Sequence, residues 1–501
     1  MDSITIDLDL DSVSEYARFL KIKALPRFKF TGRTATIPAE YASLLGIKAD
    51  GHTKIEYVPS PFLFDYQGDI ARVAIAKEKF AAFVAPGYGK TLIAAEFARH
   101  ALPSLENGKC GLWISPLMVI KQTVSEFKKF YNGWHPEVVA TKDLPQWLKN
   151  GGKFAITNWE ALDEGLDGSR IGMLIGDETS LVKSHYGAYG MRFIQLGKGV
   201  RWKLCLTGTP APNDRIEYAN HALFLDKYPT VNAFLAKFFV NKGMTGERWE
   251  LKAHAIEAFY RELSDWCIFM SDPSVYGWKD NTDTIPPIVI DVLDVPLTDT
   301  QLTEVQKETN SLFGEVGGIG SRSKLARIAK GYTNESRIET NKPAFIKALV
   351  DQWPDESTII WCKFNDEQDG LAEVFPGCAS IQGSTPHEER EELIEKFKAG
   401  EIKVLISKPK VLGFGLNLQV CTRMIFSSCH DSYEEWFQAV KRANRVGSTK
   451  ALHVYIPITD VERPMADNVL RKAKMIESDT KLQEKMFRQQ GHVFGNQERL
   501  S

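Results

Sequence analysis

The stretch from residue 80 to residue 97 reads FAAFVAPGYGKTLIAAEF, and it decides the fold of the region around it. Its first six residues are apolar and strand-like, the next six form a turn with two glycines, and the last six begin a helix. Such a turn directs backbone N–H groups and the positive end of the helix dipole at phosphate oxygens. In this loop Lys90 would reach the β- and γ-phosphates, and the Thr91 hydroxyl would hold Mg²⁺.

The sequence around this loop predicts the nucleotide that it binds. The predicted contacts within the loop are Pro86, Gly87, Tyr88, Gly89, Lys90 and Thr91. The eight-residue phosphate-loop pattern has glycine at position 84, where this chain has Val84. Upstream, Tyr66 and Gln67 precede the strand, and a glutamine amide can pair with an adenine edge. The sequence therefore favours ATP, with Mg²⁺, as the cofactor.

Composition limits the class of protein. The chain has 501 residues, too many for one core, and it is 43% hydrophobic and 25% charged. A net charge of −2 excludes a globally basic nucleic-acid binder but not a local basic groove. Seven cysteines without a Cys-x-x-Cys pair argue against zinc and favour reduced thiols. No signal peptide and no apolar run of ~20 residues is present, so we expect a cytoplasmic protein without membrane contact.

Short apolar runs that end in polar turns recur in two series. The first extends from the phosphate loop to Leu206 and the second from Thr358 to Ile456. Strands that alternate with helices predict parallel sheets, which bind ligands at the carboxyl ends of their strands. We expect four parts: a small basic N-terminal domain over about 1–60, a first lobe over about 61–290, a second over about 291–460, and a C-terminal helical segment over about 461–501. An aromatic-rich stretch over about 213–285 predicts a helical insertion in the first lobe.

The N-terminal domain carries an unusual cluster of charge. Between Arg18 and Arg33 there are six cations, three phenylalanines and no acid. Cations with interleaved aromatics are typical of surfaces that follow phosphates and stack on bases. A solvated face over a small core explains the same pattern, and both interpretations stay open.

An acidic pair closes one strand of the first series. Asp177 and Glu178 follow an apolar run that lies roughly 90 residues after the phosphate loop. The aspartate can hold Mg²⁺ through water, and the glutamate can orient and deprotonate a water that attacks the γ-phosphate. Another strand ends at Thr207-Gly208-Thr209-Pro210, whose hydroxyls could couple nucleotide state to the second lobe.

Eight segments match a known family. They are Tyr66-Gln67, Gly87-Tyr88-Gly89-Lys90-Thr91, Ile114-Ser115-Pro116-Leu117, Ile156-Thr157-Asn158-Trp159-Glu160, Asp177-Glu178-Thr179-Ser180, Leu206-Thr207-Gly208-Thr209-Pro210, Gly413-Phe414-Gly415-Leu416-Asn417-Leu418, and Gln438-Ala439-Val440-Lys441-Arg442-Ala443-Asn444-Arg445-Val446-Gly447. The chain resembles a superfamily 2 helicase or translocase of the Swi/Snf type, in a compact form like those that phages encode. The resemblance runs from about Phe62 to about Pro457. It implies an α/β fold of two RecA-like parallel-sheet lobes, with a helical insertion and a small N-terminal domain.

The resemblance also implies roles for residues. The implied catalytic residues are Lys90, Asp177, Glu178, Gln438, Arg442 and Arg445, and Gly415 joins the nucleotide contacts. The implied DNA contacts are Ser115, Pro116, Thr157, Asn158, Lys363, Lys408 and Asn417. Arg442 and Arg445 lie three positions apart and so share one helix face, from which guanidinium groups would stabilise charge on the transferring phosphoryl group.

One departure bears on the coupling of hydrolysis to motion. The family usually has Ala-His or Gly-His after Asp-Glu, and its histidine helps to link hydrolysis to the Thr-Gly-Thr segment. This chain has Thr179 and Ser180 at those positions.

The expected function is ATP-dependent movement on double-stranded or branched DNA, with fork or junction remodelling or branch migration in replication, recombination or repair. For a phage-encoded protein the location would be the cytoplasm of the host. An RNA helicase of the same superfamily and a DNA-binding adaptor without motor activity are the alternatives. The sequence does not indicate protein partners.

Overall fold

The structure is a computed structural model. It describes residues 3–9, 12–47, 57–184, 187–243, 248–279, 285–311, 319–333, 336–412, 418–428, 432–444 and 448–489. The chain forms two compact units. The first comprises Met1–Asp280 with Ile476–Ser501, and the second comprises Asn281–Met475.

The N-terminal part of the first unit is a small antiparallel sheet with one helix. Its elements are β1 (Ser3–Asp7), α1 (Val13–Lys23), β2 (Lys29–Thr31) and β3 (Thr34–Pro38), in the sheet order β1-β3-β2. Their core includes Ile6, Ile22, Ile37 and Tyr41.

The rest of the first unit is built on a seven-stranded parallel sheet. Its elements up to the strand that precedes the Thr-Gly-Thr loop are α2 (Asp65–Lys77), β4 (Lys79–Val84), α3 (Lys90–Ala101), β5 (Cys110–Ser115), α4 (Leu117–Phe130), β6 (Glu137–Val138), α5 (Leu144–Lys149), β7 (Phe154–Asn158), β8 (Ile171–Asp177), α6 (Ala188–Leu196) and β9 (Trp202–Leu206). Strand β4 buries Ala81 and Phe83 on one face of the sheet and Phe80, Ala82 and Val84 on the other. A strand buried on both faces is continuously apolar, which is why the runs of the first series read as they do.

The aromatic-rich segment completes this unit. It contains α7 (Tyr218–Phe224), α8 (Val231–Phe238), β10 (Phe239–Asn241), β11 (Trp249–Leu251), α9 (Ile256–Leu263) and β12 (Cys267–Met270). Strands β10 and β11 form a hairpin, and β12 joins the large sheet beside β4, so the sheet order is β12-β4-β9-β8-β5-β7-β6. The segment thus contains three strands as well as helices. Its aromatic residues, Phe234 and Phe259 among them, are buried core residues.

The second unit is built on a six-stranded parallel sheet in the order β13-β18-β17-β14-β16-β15. Its elements are β13 (Ile288–Asp294), α10 (Asp299–Ser311), α11 (Ile319–Ile328), α12 (Lys342–Val350), β14 (Thr358–Trp361), α13 (Asn365–Val374), β15 (Ala379–Ile381), α14 (His387–Lys398), β16 (Val404–Ser407), β17 (Arg423–Phe426), α15 (Tyr433–Ala443) and β18 (Leu452–Ile458). The predicted α/β class with two parallel-sheet lobes is confirmed.

The last helix, α16 (Arg463–Gln489), begins in the second unit, and its final residues belong to the first. Asp479 accepts two hydrogen bonds from the Arg215 guanidinium, at 2.9 and 2.6 Å. Glu484 accepts from the Ser271 hydroxyl at 2.7 Å, and Phe487 is buried in the core of the first unit. These contacts fix the end of the helix on the sheet that carries the phosphate loop.

Candidate functional site

The turn after β4 has the backbone that a phosphate loop needs. Gly87 and Gly89 have φ angles of 96° and 76°, a left-handed conformation that side chains other than glycine rarely adopt. A Cβ on Gly89 would also lie 2.3 Å from Nε2 of Gln67. Helix α3 begins directly afterwards at Lys90, so its free N–H groups face the turn. The local geometry fits a bound triphosphate.

Tyr66 and Gln67 hold this turn from α2. Both are buried, with exposed fractions of 2% and 3%. The Gln67 amide accepts from the Phe64 N–H at 3.1 Å and donates to the Tyr88 carbonyl at 3.1 Å. Both ends of the amide are therefore bonded to backbone groups, and pairing with an adenine edge would require it to leave them.

The sheet explains why position 84 is a valine and not a glycine, and Lys90 contacts this same residue. Val84 is the last residue of β4 and is paired with Met270 of β12, so the strand continues where the common pattern already turns. The Lys90 ammonium donates to the Val84 carbonyl at 3.1 Å. Thr91 follows in the first turn of α3 and is partly exposed.

Asp177 ends β8, two strands from β4. Its carboxylate accepts from the Ser115 hydroxyl at 3.1 Å and from the Glu178 N–H at 3.0 Å. Burial, followed by the charge of Glu178, raises the pKa of Asp177 to about 7, against the opposing effect of Lys90. An aspartate with this pKa is readily ionised by a cation, which fits a magnesium ligand.

Glu178 lies in a strained backbone conformation, with φ of 50°. The Thr207 hydroxyl donates to its carboxylate at 3.3 Å, and the Thr209 N–H donates to Thr207 Oγ1 at 3.1 Å. The loop after β9 also lies close to the phosphate loop, because a Cβ on Gly208 would lie 2.9 Å from Cδ of Pro86. The acidic pair, the Thr-Gly-Thr loop and the phosphate loop therefore meet at one edge of the sheet.

The residues predicted to contact DNA in the first unit end two neighbouring strands. Ser115 of β5 pairs with Asn158 of β7, and Ile114 pairs with Thr157. Ser115, Pro116, Thr157 and Asn158 are all buried. Asn158 accepts from the Thr141 hydroxyl at 2.8 Å, whereas the buried Thr157 hydroxyl has no hydrogen-bond partner among the described residues. Ser115 instead bonds Asp177, a contact that the sequence did not indicate.

The residues of the second unit fall into two groups. Lys363 and Lys408 follow the adjacent strands β14 and β16 and are partly exposed. The Lys363 ammonium lies 5.7 Å from the Phe364 ring centroid, and Lys408 donates to the Asn365 side chain.

Gln438 and Arg442 lie on α15. Gln438 donates to Glu434 at 3.4 Å on the same helix. Arg442 is only 4% exposed, donates to the Pro409 carbonyl at 3.3 Å, and lies 5.7 Å from the Trp361 ring. To reach a phosphate, its guanidinium would have to leave Pro409. Gly415, Asn417 and Arg445 lie outside the described residues.

Sequence reasoning missed two partners of the acidic turn, which comprises Asp177, Glu178 and Thr179. The Trp159 indole N–H donates to the Asp177 carbonyl at 3.0 Å, and His221 of α7 contacts Thr179. Both partners are far from the pair in sequence or lie on other elements, and no spacing pattern marks them.

Membrane spans and clustered metal ligands are two other kinds of site that a chain of this length can carry. None of the described helices is both long and apolar enough to cross a membrane. The described residues also contain no group of three or more His, Cys, Asp or Glu placed to hold a metal ion.

Comparison with known proteins agrees with this geometry. Residues 341–447 match the family described as the helicase conserved C-terminal domain. The ATP-dependent helicase fft1 of Schizosaccharomyces pombe is 34% identical over 125 residues, which are 24% of this chain and 13% of that protein. A human SWI/SNF-related matrix-associated actin-dependent regulator of chromatin is 29% identical over 125 residues, 24% of this chain and 12% of that protein. The chain is thus similar to Swi/Snf-type superfamily 2 helicases over these regions.

The chain is also similar to a phage protein. Putative protein p41 of Acyrthosiphon pisum secondary endosymbiont phage 1 is 24% identical over 310 residues, covering 56% of this chain and 64% of that protein. The chain thus spans less than two thirds of the length of each of these relatives.

Proposed function

We propose that the protein is an ATP-driven motor on DNA that acts on duplex or branched substrates, as in fork or junction remodelling or branch migration. The observation that carries this proposal is the meeting of four strand ends at one sheet edge. Strands β4, β9, β8 and β5 are neighbours, and they end at the phosphate loop, the Thr-Gly-Thr loop, the acidic pair and Ser115. Replication, recombination and repair are the processes that use such motors.

Different residues of the site would bind the phosphates of ATP and the Mg²⁺ ion. The N–H groups of the turn and the Lys90 ammonium would hold the phosphates, and Thr91 and Asp177 would hold the metal. Bound Mg²⁺ supplies charge neutralisation on the phosphates. The Lys90 ammonium donates to the neutral Val84 carbonyl, which leaves its charge available to an anion.

Glu178 would orient and deprotonate the attacking water. Its hydrogen bond from Thr207 connects it to the loop after β9, and through this bond a change at the glutamate would reach a segment outside the phosphate loop. Arg442 and Arg445 would supply the positive charge from the second lobe that stabilises the transferring phosphoryl group, and the neutral Gln438 amide would add a hydrogen bond. This assignment requires Arg442 to exchange the Pro409 carbonyl for a phosphate.

Lys363, Lys408 and Asn417 would contact the DNA backbone from the second lobe, and the ends of β5 and β7 from the first. The two lysines lie at adjacent strand ends, where partly exposed ammonium groups suit phosphate contacts.

The N-terminal domain, over about residues 1–60, would add a second DNA contact. Lys21, Lys23 and Lys29 are exposed. Four aromatic rings, Tyr16, Phe19, Phe30 and Phe28, follow one another with centroid distances of 6.1, 5.0 and 5.3 Å. Tyr16 is 53% exposed and Phe28 37%. Exposed cations beside exposed rings suit phosphates and bases.

Salt dependence tests the N-terminal contact. Replacing Lys21, Lys23 and Lys29 by alanine should reduce the slope of log affinity against log salt by about 0.9 for every duplex phosphate that the protein no longer neutralises. The control is Lys396→Ala, which replaces a partly exposed lysine of α14 that pairs with Glu392. Equal slopes for the triple variant and the wild type would remove the N-terminal domain from the DNA-binding surface.

A stimulation panel tests the motor itself. ATP hydrolysis is measured with duplex DNA, single-stranded DNA, a fork, a four-way junction and RNA. We expect duplex and branched DNA to stimulate most. Strongest stimulation by RNA would favour the RNA helicase, and DNA binding without any turnover would favour the adaptor.

A further inference from the structure

His221 is a fully buried polar residue that the proposed mechanism does not use. It lies on α7, beyond the Thr-Gly-Thr loop, and its ring meets the Phe83 ring of β4 edge-on at 5.1 Å. Its Nε2 lies 3.0 Å from Oγ1 of Thr179, the residue directly after Glu178. His221 therefore contacts both the strand of the phosphate loop and the acidic turn.

Thr179 connects two hydrogen bonds. Its hydroxyl donates to the Leu206 carbonyl at 3.3 Å, and in that arrangement its oxygen accepts from Nε2 of His221. Burial lowers the pKa of His221 to about 4, so the ring is neutral and carries a single proton at physiological pH. The chain of bonds runs from His221 through Thr179 to Leu206, the residue before Thr207.

Thr179 itself is tightly enclosed. It is fully buried, and its methyl group packs over Gly176, where a Cβ would lie 2.7 Å from Cγ2 of Thr179. Glu178, between Asp177 and Thr179, has the strained φ of 50°. Such a conformation persists only when its surroundings hold it. The bonds of Thr179 supply that support on one side, and Asp177 supplies it on the other.

We propose that His221 is a positioning residue for ATP hydrolysis. Through Thr179 it fixes the Glu178 carboxylate and couples the acidic turn to the Thr-Gly-Thr loop. The inference rests on the proposed ATP hydrolysis but not on the identity of the nucleic acid.

Paired variants test the inference through the split between kcat and KM. His221→Phe removes the donor and keeps an aromatic ring against Phe83, and Thr179→Val removes the hydroxyl at nearly constant volume. We expect each variant to lower kcat about 10- to 100-fold, because a small misplacement of a catalytic group has effects of that size. KM for ATP should stay within about twofold, since neither residue contacts the phosphate loop backbone.

Conservative variants and the double variant separate positioning from packing. His221→Gln and Thr179→Ser, which each keep a polar group, should recover most of kcat. The double variant His221→Phe/Thr179→Val should lose no more than either single one, because both break the same chain. Tyr218→Phe is the matched control: it lies on the same helix and loses one buried hydrogen bond, from Gln483 at 3.0 Å, without touching Thr179.

Three results would overturn the inference: an unchanged kcat in both His221→Phe and Thr179→Val, multiplied losses in the double variant, or an equal loss in Tyr218→Phe. If His221→Phe fails to fold, the Thr179→Val and Thr179→Ser pair carries the test alone. Basal turnover without DNA stimulation would contradict the proposed motor and leave this comparison valid.

Discussion

A buried charge cluster attaches the N-terminal domain to the first lobe, and Tyr41→Phe should weaken this attachment. The Tyr41 hydroxyl donates to Asp265, which also accepts from Lys77 at 3.3 Å and lies 3.5 Å from Lys227. Asp265 is 3% exposed and Tyr41 fully buried. Burial alone would raise the pKa of Asp265, but the two lysines outweigh it and hold that pKa well below its usual range.

The expected loss of stability follows from these contacts. Tyr41→Phe keeps the ring and removes one hydrogen bond to a buried charged acceptor, a loss of about 1.5–3 kcal/mol. For the first unit, Met1–Asp280 with Ile476–Ser501, an unfolding entropy of about 2.1 cal/mol/K per residue converts this loss into a fall in melting temperature of about 2–5 °C. Asp265→Asn leaves Lys227 without this buried counter-charge and Lys77 with Glu40 at 2.8 Å, and it should cost about 3–5 kcal/mol.

Differential scanning fluorimetry and chemical denaturation measure both effects. Tyr16→Phe, on the exposed face of the same domain, is the control and should change stability by less than about 0.5 kcal/mol. The stabilisation from ionised Asp265 is present above its unfolded pKa of about 3.9 and is lost as the pH falls through the folded value. The difference in unfolding free energy between wild type and Asp265→Asn should therefore disappear at acidic pH. Equal stability of Tyr41→Phe and wild type at neutral pH would refute the attachment.

Further predictions concern the candidate site. Lys90→Ala should abolish ATP hydrolysis and leave DNA binding largely intact, and an unchanged kcat would contradict the phosphate loop. Glu178→Gln should retain ATP binding and block turnover; a collapse of ATP affinity would instead make the carboxylate a structural or metal-binding group. Arg442→Ala should slow hydrolysis by ~10³ or more if the guanidinium reaches the phosphoryl group, whereas a lower melting temperature with less than a tenfold rate loss would make it a packing residue. Asp177 has a pKa of about 7 beside Glu178 and Lys90, so binding of magnesium and nucleotide should release a proton below about pH 7, and the binding affinity should fall as the pH falls. Calorimetry in buffers of different ionisation enthalpy measures this proton release. A binding enthalpy that is the same in all buffers would contradict the assignment.

The sequence predicts the sheets well because parallel strands leave a simple signal. Strands such as β5 and β8 are buried on both faces and end in polar turns, so position and type follow from local pattern. Strand β12 gave no such signal, because its four residues lie within a helical, aromatic-rich stretch. Its pairing with β4 explains the valine at position 84, which sequence pattern presented only as a departure.

The features of the site that the sequence does not predict are contacts between residues that are far apart in the chain. The bond between His221 and Thr179 joins residues 42 positions apart, and that between Tyr41 and Asp265 joins residues 224 apart. Neither has a periodic signature. Gln67 shows the complementary case: its placement beside the nucleotide loop follows from sequence, but the engagement of its amide by Phe64 and Tyr88 does not.

Displacement of a third strand from a DNA triplex tests the central claim most directly, because only a protein that moves along duplex DNA removes that strand. The account predicts release that requires ATP hydrolysis and that is lost in Lys90→Ala and Glu178→Gln. Duplex-stimulated ATP hydrolysis without any release of the third strand, at protein concentrations that saturate the triplex, would contradict it.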